Sequence, residues 1–313
     1  MTAAPAASRV EQTSSPTDAI TAFARGFSLE ATRPSADDVA ALAAIAPAGT
    51  RVYLSAVPTR PVDEAIGAAA LLRGAGFEPV PHLAVRNFAS TIAFDEFLSR
   101  ARAEADVRRL LVIAGDRDQS AGAFRSSIEV IDGGALQRHG IIEIGIAGYP
   151  DGHPRIPQHD LDRALVDKIE AAETTGIAVH IVTQFCFDAA AIVHWVTRLR
   201  DFGIEQPVRV GLVGPTSLAT LLRYAQRCGV RASAQGLARQ AGLVRQLFAL
   251  SAPDALVRKL SGARAEGHLG EIAPHFFSFG GLARTARWAQ AVAESRIAIE
   301  AGEGFKVEPP RGG

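Results

Sequence analysis

Apolar residues along this chain gather in short dense runs, each followed by a longer stretch in which they recur every three or four positions. The runs, starting from Gly26, are GFSLEA, TRVYLSAV, EPVPHLAV, RRLLVIAG, EIGIAGY, AVHIVTQFC, VRVGLVG and HFFSFG. Their length and their Val, Ile, Leu and Phe content predict eight strands, and the intervening period predicts amphipathic helices. The helical stretches include SADDVAALAAIAP, VDEAIGAAALLRGAG, AFDEFLSRARAEAD, SSIEVIDGGALQRHG, HDLDRALVDKIEAAETTG, AAAIVHWVTRLRDFG, SLATLLRYAQRCG and RTARWAQAVAESR. Several open after a Ser or Asp that can cap the first turn and close at a Gly that can cap the last.

Strands that are apolar almost throughout are covered on both faces, which points to parallel pairing with helices outside. Eight strand–helix repeats in 313 residues predict an α/β fold, a (β/α)8 TIM barrel, over residues 21–300. An open doubly wound sheet is the alternative, because periodicity does not report closure. The long interval from Pro215 to Pro274 carries further helical pattern in AQGLARQAGLVRQLFAL and PDALVRKLSGARAEG, so extra helices are expected between strands seven and eight. Residues 1–20, rich in Ala, Ser, Thr and Pro, and residues 301–313 read as flexible tails.

Composition narrows the function classes. Apolar residues at 48% and charged residues at 21% exclude a disordered chain, and 33 basic against 33 acidic residues leave no field to attract a polyanion. Nucleic acid is therefore not an expected partner. No apolar stretch approaches the ~20 residues of a membrane span, and the N-terminus lacks the pattern of a signal peptide. Cys186 and Cys228 have no metal-ligand spacing and suit a reducing compartment, so the expected location is cytoplasmic. Trp195, on an apolar outer helix, suggests a face for a second subunit and hence a homo-oligomer, unless it belongs to the core.

In a barrel of this kind the chemistry collects at the carboxyl ends of the strands. Glu30, Ser55, His82, Asp116, Tyr149, His153 and Gln184 fall at or just beyond those ends. Taken singly, Glu30 reads as a salt-bridged strand end, Asp116 as a turn cap, Tyr149 as core, and the others as ordinary polar groups; together they describe a rim. The three lysines, Lys168, Lys259 and Lys306, avoid strand ends, which excludes Schiff-base chemistry there. Neither a phosphate-cradling G-x-x-x-x-G-K-[ST] nor a dinucleotide G-x-G-x-x-G occurs. Glu30, His82, Asp116 and His153 leave a metal-dependent barrel hydrolase or lyase open, although H-x-H on the first strand is missing. The residues otherwise suit proton transfer and the grip of a flat heterocycle.

These motifs resemble those of the methylenetetrahydrofolate reductases, flavin enzymes on a (β/α)8 barrel. The matching segments are FSLEATRP, PHLAV, IAGDRD, AGAFRSSIEVI, IAGYPDGHP, VTQFCFD and PHFFSFGG, spread over residues 26–295. AGYPDGHP and TQFCFD at this separation are the specific ones. The resemblance implies that Glu30 is the acid that protonates N10 of the folate, and that Asp116 tunes the electrostatics between flavin and pterin. It places His82, Gly115, Ser127, Tyr149, His153, Asp160 and Lys168 around FAD, and Gln184, Leu218 and Phe279 around the folate. It further implies NADH or NADPH as co-substrate, and interconversion of 5,10-methylenetetrahydrofolate and 5-methyltetrahydrofolate, the oxidative direction included.

The departures are specific. Ala114 stands where the family carries an arginine, only Ser55 or Thr59 can replace a second-strand threonine, Leu218 replaces an aromatic residue, and Gly280 and Gly281 replace an asparagine. They keep a flavin-independent, nicotinamide-linked folate reductase in view, beside a barrel that binds folate without catalysis. Burial of Glu30 next to a second carboxylate is expected to raise its pKa into the range of a general acid.

Overall fold

A computed structural model describes residues 15–57, 61, 64–227 and 250–309. Eight parallel strands close into a barrel: β1 (Ser28–Ala31), β2 (Arg51–Leu54), β3 (Glu78–Ala84), β4 (Arg109–Ile113), β5 (Glu143–Gly148), β6 (Ala178–Thr183), β7 (Val208–Val213) and β10 (Ile272–Phe277). The ring runs β1, β10, β7, β6, β5, β4, β3, β2. It is closed by the pairing of Ser28 with His275 and Glu30 with Phe277. The barrel expectation holds and the open sheet is excluded. The eighth strand starts at Ile272, before Pro274; the sequence reading began it at His275, because proline is unusual inside a sheet.

Helices α2 (Ala36–Ala43), α3 (Glu64–Gly74), α4 (Thr91–Ala105), α7 (Gln158–Thr175), α8 (Ala189–Asp201), α9 (Leu218–Arg227) and α11 (Leu282–Ala293) follow their strands. Their starts are chemically marked. Ser35 and Asp38 form a reciprocal capping box, Ser90 accepts from the Ala93 amide, and Asp188 accepts from Ala190 and Ala191. SSIEVIDGGALQRHG, read as one helix, is two short ones, α5 (Ile128–Asp132) and α6 (Ala135–Arg138), split at Gly133 and Gly134. Between β7 and β10, α10 (Asp254–Ala265) confirms one added helix, and β8 (Thr216–Ser217) pairs antiparallel with β9 (Leu250–Ser251). The other expected helix, AQGLARQAGLVRQLFAL, lies outside the described residues except for Leu250, and so do Cys228 and Thr59.

Both tail readings need correction. Helix α1 (Pro16–Ala24) begins within the expected tail, capped by Ser15 and buried through Ile20 and Phe23, and it packs across α10 and α11. The cap, the proline in the first turn and apolar spacing of three and four are helix signals that the Ala- and Ser-rich composition hid. At the other end β11 (Ile297–Ile299) pairs with β12 (Phe305–Val307). Phe305 is buried against the Trp288 ring, and Arg258 donates to the carbonyls of Glu300, Gly302 and Gly304. Trp195 is 5% exposed and sits so close to β5 that a Cβ on Gly148 would come within 2.6 Å of its ring. It belongs to the core, and the argument for a partner-covered face falls with it. Among the described residues no helix is long and apolar enough to cross a membrane.

The main apolar core lies between strands and helices, whereas the lumen is mostly polar. Its apolar part is a small cluster of Tyr53, Val80, Leu111 and Val182 with Ile113 against it. At the floor, Glu143 accepts two hydrogen bonds from Arg51, at 2.6 and 3.0 Å, and one from Arg109 at 2.7 Å. Glu78 is gripped by both terminal nitrogens of Arg73, at 2.9 and 2.8 Å. Above Glu143, His180 Nδ1 lies 2.8 Å from its carboxylate, and His180 Nε2 lies 2.6 Å from the Tyr53 hydroxyl. The proximity of Nδ1 to the carboxylate places the imidazole proton there, so the Tyr53 hydroxyl donates to Nε2.

Burial outweighs the pull of Glu143 and holds His180 neutral, its pKa down at about 4, and burial pushes the Tyr53 phenol up to about 12. An unfolded histidine titrates near about 6.5. Between these values the unfolded chain takes up a proton that the folded chain refuses, so stability present above pH 6.5 drains as pH falls toward 4. The expected loss is up to about 3 kcal/mol. Urea midpoints at pH 7, 5.5 and 4.5 measure it, and His180→Gln should flatten the dependence. Equal midpoints for the native chain across this range would contradict it.

Candidate active site

At the carboxyl ends of the strands, Glu30 lies between two arcs of different character. Its Oε1 accepts from Ser55 Oγ at 2.6 Å, and Ser55 in turn accepts from Thr32 at 3.2 Å. Its Oε2 lies 3.3 Å from His275 Nε2 and 3.5 Å from His82 Nε2. Burial acts to raise the Glu30 pKa, but His82, the hydrogen bond with His275 and the one from Ser55 outweigh it, and the carboxyl is held below its ordinary range. This corrects the sequence expectation of a raised pKa. The neighbours acting most strongly on Glu30 are imidazoles and a hydroxyl.

The polar arc spans the ends of β3 to β5. His82 and Tyr149 feel the charge of Asp116, and so does His153. The Tyr149 and His153 rings meet edge to face at 5.2 Å, held by the Gly- and Pro-shaped loop after β5. Asp116 follows Gly115, which takes φ +92° so that β4 can turn hard against Ala84 of β3. A side chain at Gly115 would collide with the Ala84 methyl. His82 Nε2 and Asn87 Oδ1 are buried without a hydrogen-bond partner.

The aromatic arc spans β6 to β10. Phe185 packs against Phe277 at 5.3 Å and Phe279 at 5.4 Å, and Phe279 stacks flat on Tyr224 at 3.8 Å. Gln184 closes this arc on the β6 side, its side-chain oxygen accepting from the Phe185 amide at 3.0 Å. That turn needs Gly211 on β7, since any side chain there would run into the Thr183 carbonyl. Leu218 is buried at the start of α9.

The sequence profile described as methylenetetrahydrofolate reductase matches residues 36–264. The chain belongs to the methylenetetrahydrofolate reductase family. It is 27% identical over 161 residues to methylenetetrahydrofolate reductase 2 of Saccharomyces cerevisiae, a match covering 48% of this chain and 26% of that protein. It is 30% identical over 157 residues to methylenetetrahydrofolate reductase 1 of Schizosaccharomyces pombe, covering 48% and 25%. The matches thus take in about a quarter of each of these relatives. A protein from Clostridium thermocellum that binds two copies of 5-methyl-5,6,7,8-tetrahydrofolic acid superposes with a TM-score of 0.58. That likeness covers 90% of this chain and 98% of the other, and at 12% identity it shows a shared fold.

Within the barrel the structure brings together Glu30, His82, Asp116, Tyr149 and His153, and sets Gln184 beside the aromatic arc that holds Phe279. It does not join Ser127, Asp160 or Lys168 to them by any hydrogen bond or ion pair among the described residues. Ser127 is buried at the start of α5, and Asp160 pairs with His159 at the surface. The Lys168 ammonium is desolvated, with its pKa lowered by burial. Sequence reasoning missed His275, Phe277 and Tyr224. The first two were findable from the inward alternation Ala273, His275, Phe277, Phe279. Tyr224 sits six residues beyond Leu218 on the same helix, α9, where its ring reaches Phe279.

Proposed function

We propose that this chain interconverts 5,10-methylenetetrahydrofolate and 5-methyltetrahydrofolate by hydride transfer, with Glu30 as the proton-carrying group. The observation that carries the reading is the placement of Glu30, in a chain of this family, between an aromatic arc suited to a pterin and a polar arc suited to a second heterocycle. In the reductive direction N10 takes a proton as its bond to the bridging carbon breaks, and the iminium left at N5 receives hydride. In the oxidative direction the methyl group loses hydride, and N10 gives up its proton as the ring closes. A carboxyl held below its ordinary range is ionised near neutral pH, the state that takes up the N10 proton in the oxidative direction. Asp116 would stabilise the positive charge of the iminium.

The polar arc also fits a flavin ring. His82 Nε2 and Asn87 Oδ1 have unused hydrogen-bonding capacity, and Asp116 and the Tyr149 hydroxyl make no hydrogen bond to the described residues. His82, Tyr149 and His153 would line the ring, with Gly115, Ser127, Asp160 and Lys168 toward the remainder of FAD. Bound FAD would exchange hydride with the folate and, separately, with NADH or NADPH. Ala114, in place of a cation, favours a second reading in which a nicotinamide meets the folate directly. Among the described residues no group of three or more His, Cys, Asp or Glu side chains is arranged to hold a metal ion.

The absorption spectrum of the purified protein separates these readings. Flavin bands that bleach on anaerobic addition of 5-methyltetrahydrofolate are the expected result. Turnover of folate with a nicotinamide and no flavin bands would establish the second reading, and no folate turnover under either condition would overturn both.

A further inference from the structure

Around the floor of the barrel Arg51, Arg73 and Arg109 each hold a carboxylate, Glu143 or Glu78. Arg209, at the start of β7, does not. It forms no ion pair among the described residues, and its hydrogen bond to them runs from a terminal nitrogen to the Gly26 carbonyl at 3.2 Å. Most N–H donors of this guanidinium are thus unspent. Burial lowers its pKa and the charge of Arg51 lowers it further, against the pull of Tyr53, Glu143 and Glu271. Of those acids, Glu143 is already committed to Arg51 and Arg109, and Glu271 is exposed and beyond ion-pair range. A cation stripped of water without a counter-charge is costly, and buried charges are ordinarily paired.

Beside Arg209 the amino ends of the strands open into a cavity of about 390 Å³ lined by Arg25, Gly26, Arg51, Arg209 and Gln290, a size that admits a small ligand. Arg25 is exposed just after α1, and its side chain has no partner among the described residues. Gln290 of α11 gives its amide nitrogen to Glu294 at 2.8 Å, while its buried Oε1 has no hydrogen-bond partner. Glu294 itself is paired with Arg296 at 2.9 Å. The cavity therefore presents unspent cationic donors together with a buried acceptor.

We propose that this cavity, at the end of the barrel opposite Glu30, is a binding site for a phosphate dianion, gripped by Arg209 and Arg25, with Gln290 Oε1 accepting from a hydroxyl of the ligand. The site stands whatever chemistry occurs at Glu30. Arg51 spends its charge on Glu143, so the charges of Arg209 and Arg25 are the ones a dianion balances. The planar fork of a guanidinium matches the oxygens of a phosphate. Hydrogenphosphate carries the hydroxyl that Gln290 lacks a partner for, and a phosphomonoester can supply one from its body.

Isothermal titration calorimetry of the full chain with sodium phosphate at pH 7.5, with ionic strength held constant by sodium chloride, should show saturable binding. Arg209→Met should weaken it about tenfold or more, the loss of a charge-assisted hydrogen bond. Arg25→Ala changes an exposed side chain and should weaken it by a smaller factor, which keeps the test available if Arg209→Met does not fold. Sulfate, a dianion of the same shape without a hydroxyl, should bind the native chain more weakly than phosphate, and Gln290→Leu should abolish that difference. Tighter binding of glycerol 3-phosphate than of inorganic phosphate would assign the site to a phosphomonoester, and weaker binding would assign it to the free ion. The proposal is overturned if the native chain shows no saturable phosphate binding, or if Arg209→Met and Arg25→Ala both bind phosphate as tightly as the native chain. Equal affinity of the native chain for sulfate and phosphate would overturn the part given to Gln290.

Discussion

Glu30→Gln should cost folate turnover about 10²- to 10⁴-fold, the range expected when a proton-transfer group is removed. The substitution conserves volume and leaves an oxygen to accept from Ser55, which donates to Glu30 Oε1 at 2.6 Å. The amide nitrogen would face His275 Nε2, and that ring can answer by taking its other tautomer, so the barrel should fold. What disappears is the capacity to give or take a proton at N10. Loss should therefore appear in kcat as well as kcat/KM, with circular dichroism and the binding of 5-methyltetrahydrofolate little changed. Turnover within about threefold of the native chain would remove Glu30 from the mechanism.

At the opposite end of the barrel, Glu143→Ala should destabilise the fold by about 3 to 5 kcal/mol, the cost of breaking a buried charge network by deleting one partner. Glu143 is 15% exposed in its side chain and takes hydrogen bonds from Arg51 and Arg109. Those bonds and the approach of His180 outweigh burial and hold its carboxyl well below the usual carboxylate range. Arg51 is on β2 and Glu143 on β5, three places apart around the ring, so their bond is a strut across the lumen. Alanine leaves Arg51 without its anion and Arg109 with Glu78 alone, 3.3 Å away. Equilibrium urea denaturation of both proteins at pH 7 gives the difference; a loss under about 1 kcal/mol would mean that the cluster relaxes into water and braces nothing.

The outer half of the fold was legible because the helix-facing side of each strand is apolar: Leu29, Val52, Val112, Ile144 and Ile181 all lie in the main core. Closure was not legible. It depends on Ser28 meeting His275, 247 positions apart, and no local pattern reports such a pairing. The site was legible where loop chemistry announces it, as at Asp116, Tyr149 and His153. Less legible were the polar side chains on the inward side of strands, because Arg51, Tyr53, His180 and His275 interrupt the apolar runs and read as noise. The environment of Glu30 was misjudged for the same reason, since its neighbours come from β3 and β10 and are distant in the chain.

The hydrogen bonds beneath Glu30 run to His275 and stop at Ser28, while the Tyr53 hydroxyl turns the other way, toward His180. No wire of hydrogen bonds among the described residues connects Glu30 with the floor. Followed through side chains alone, the route beneath Glu30 is a cul-de-sac: in the proposed reaction a proton that Glu30 captures leaves by the way it came. A molecule seated across that opening would trap the proton with it, and exchange with bulk deuterium would have to wait for the seat to clear.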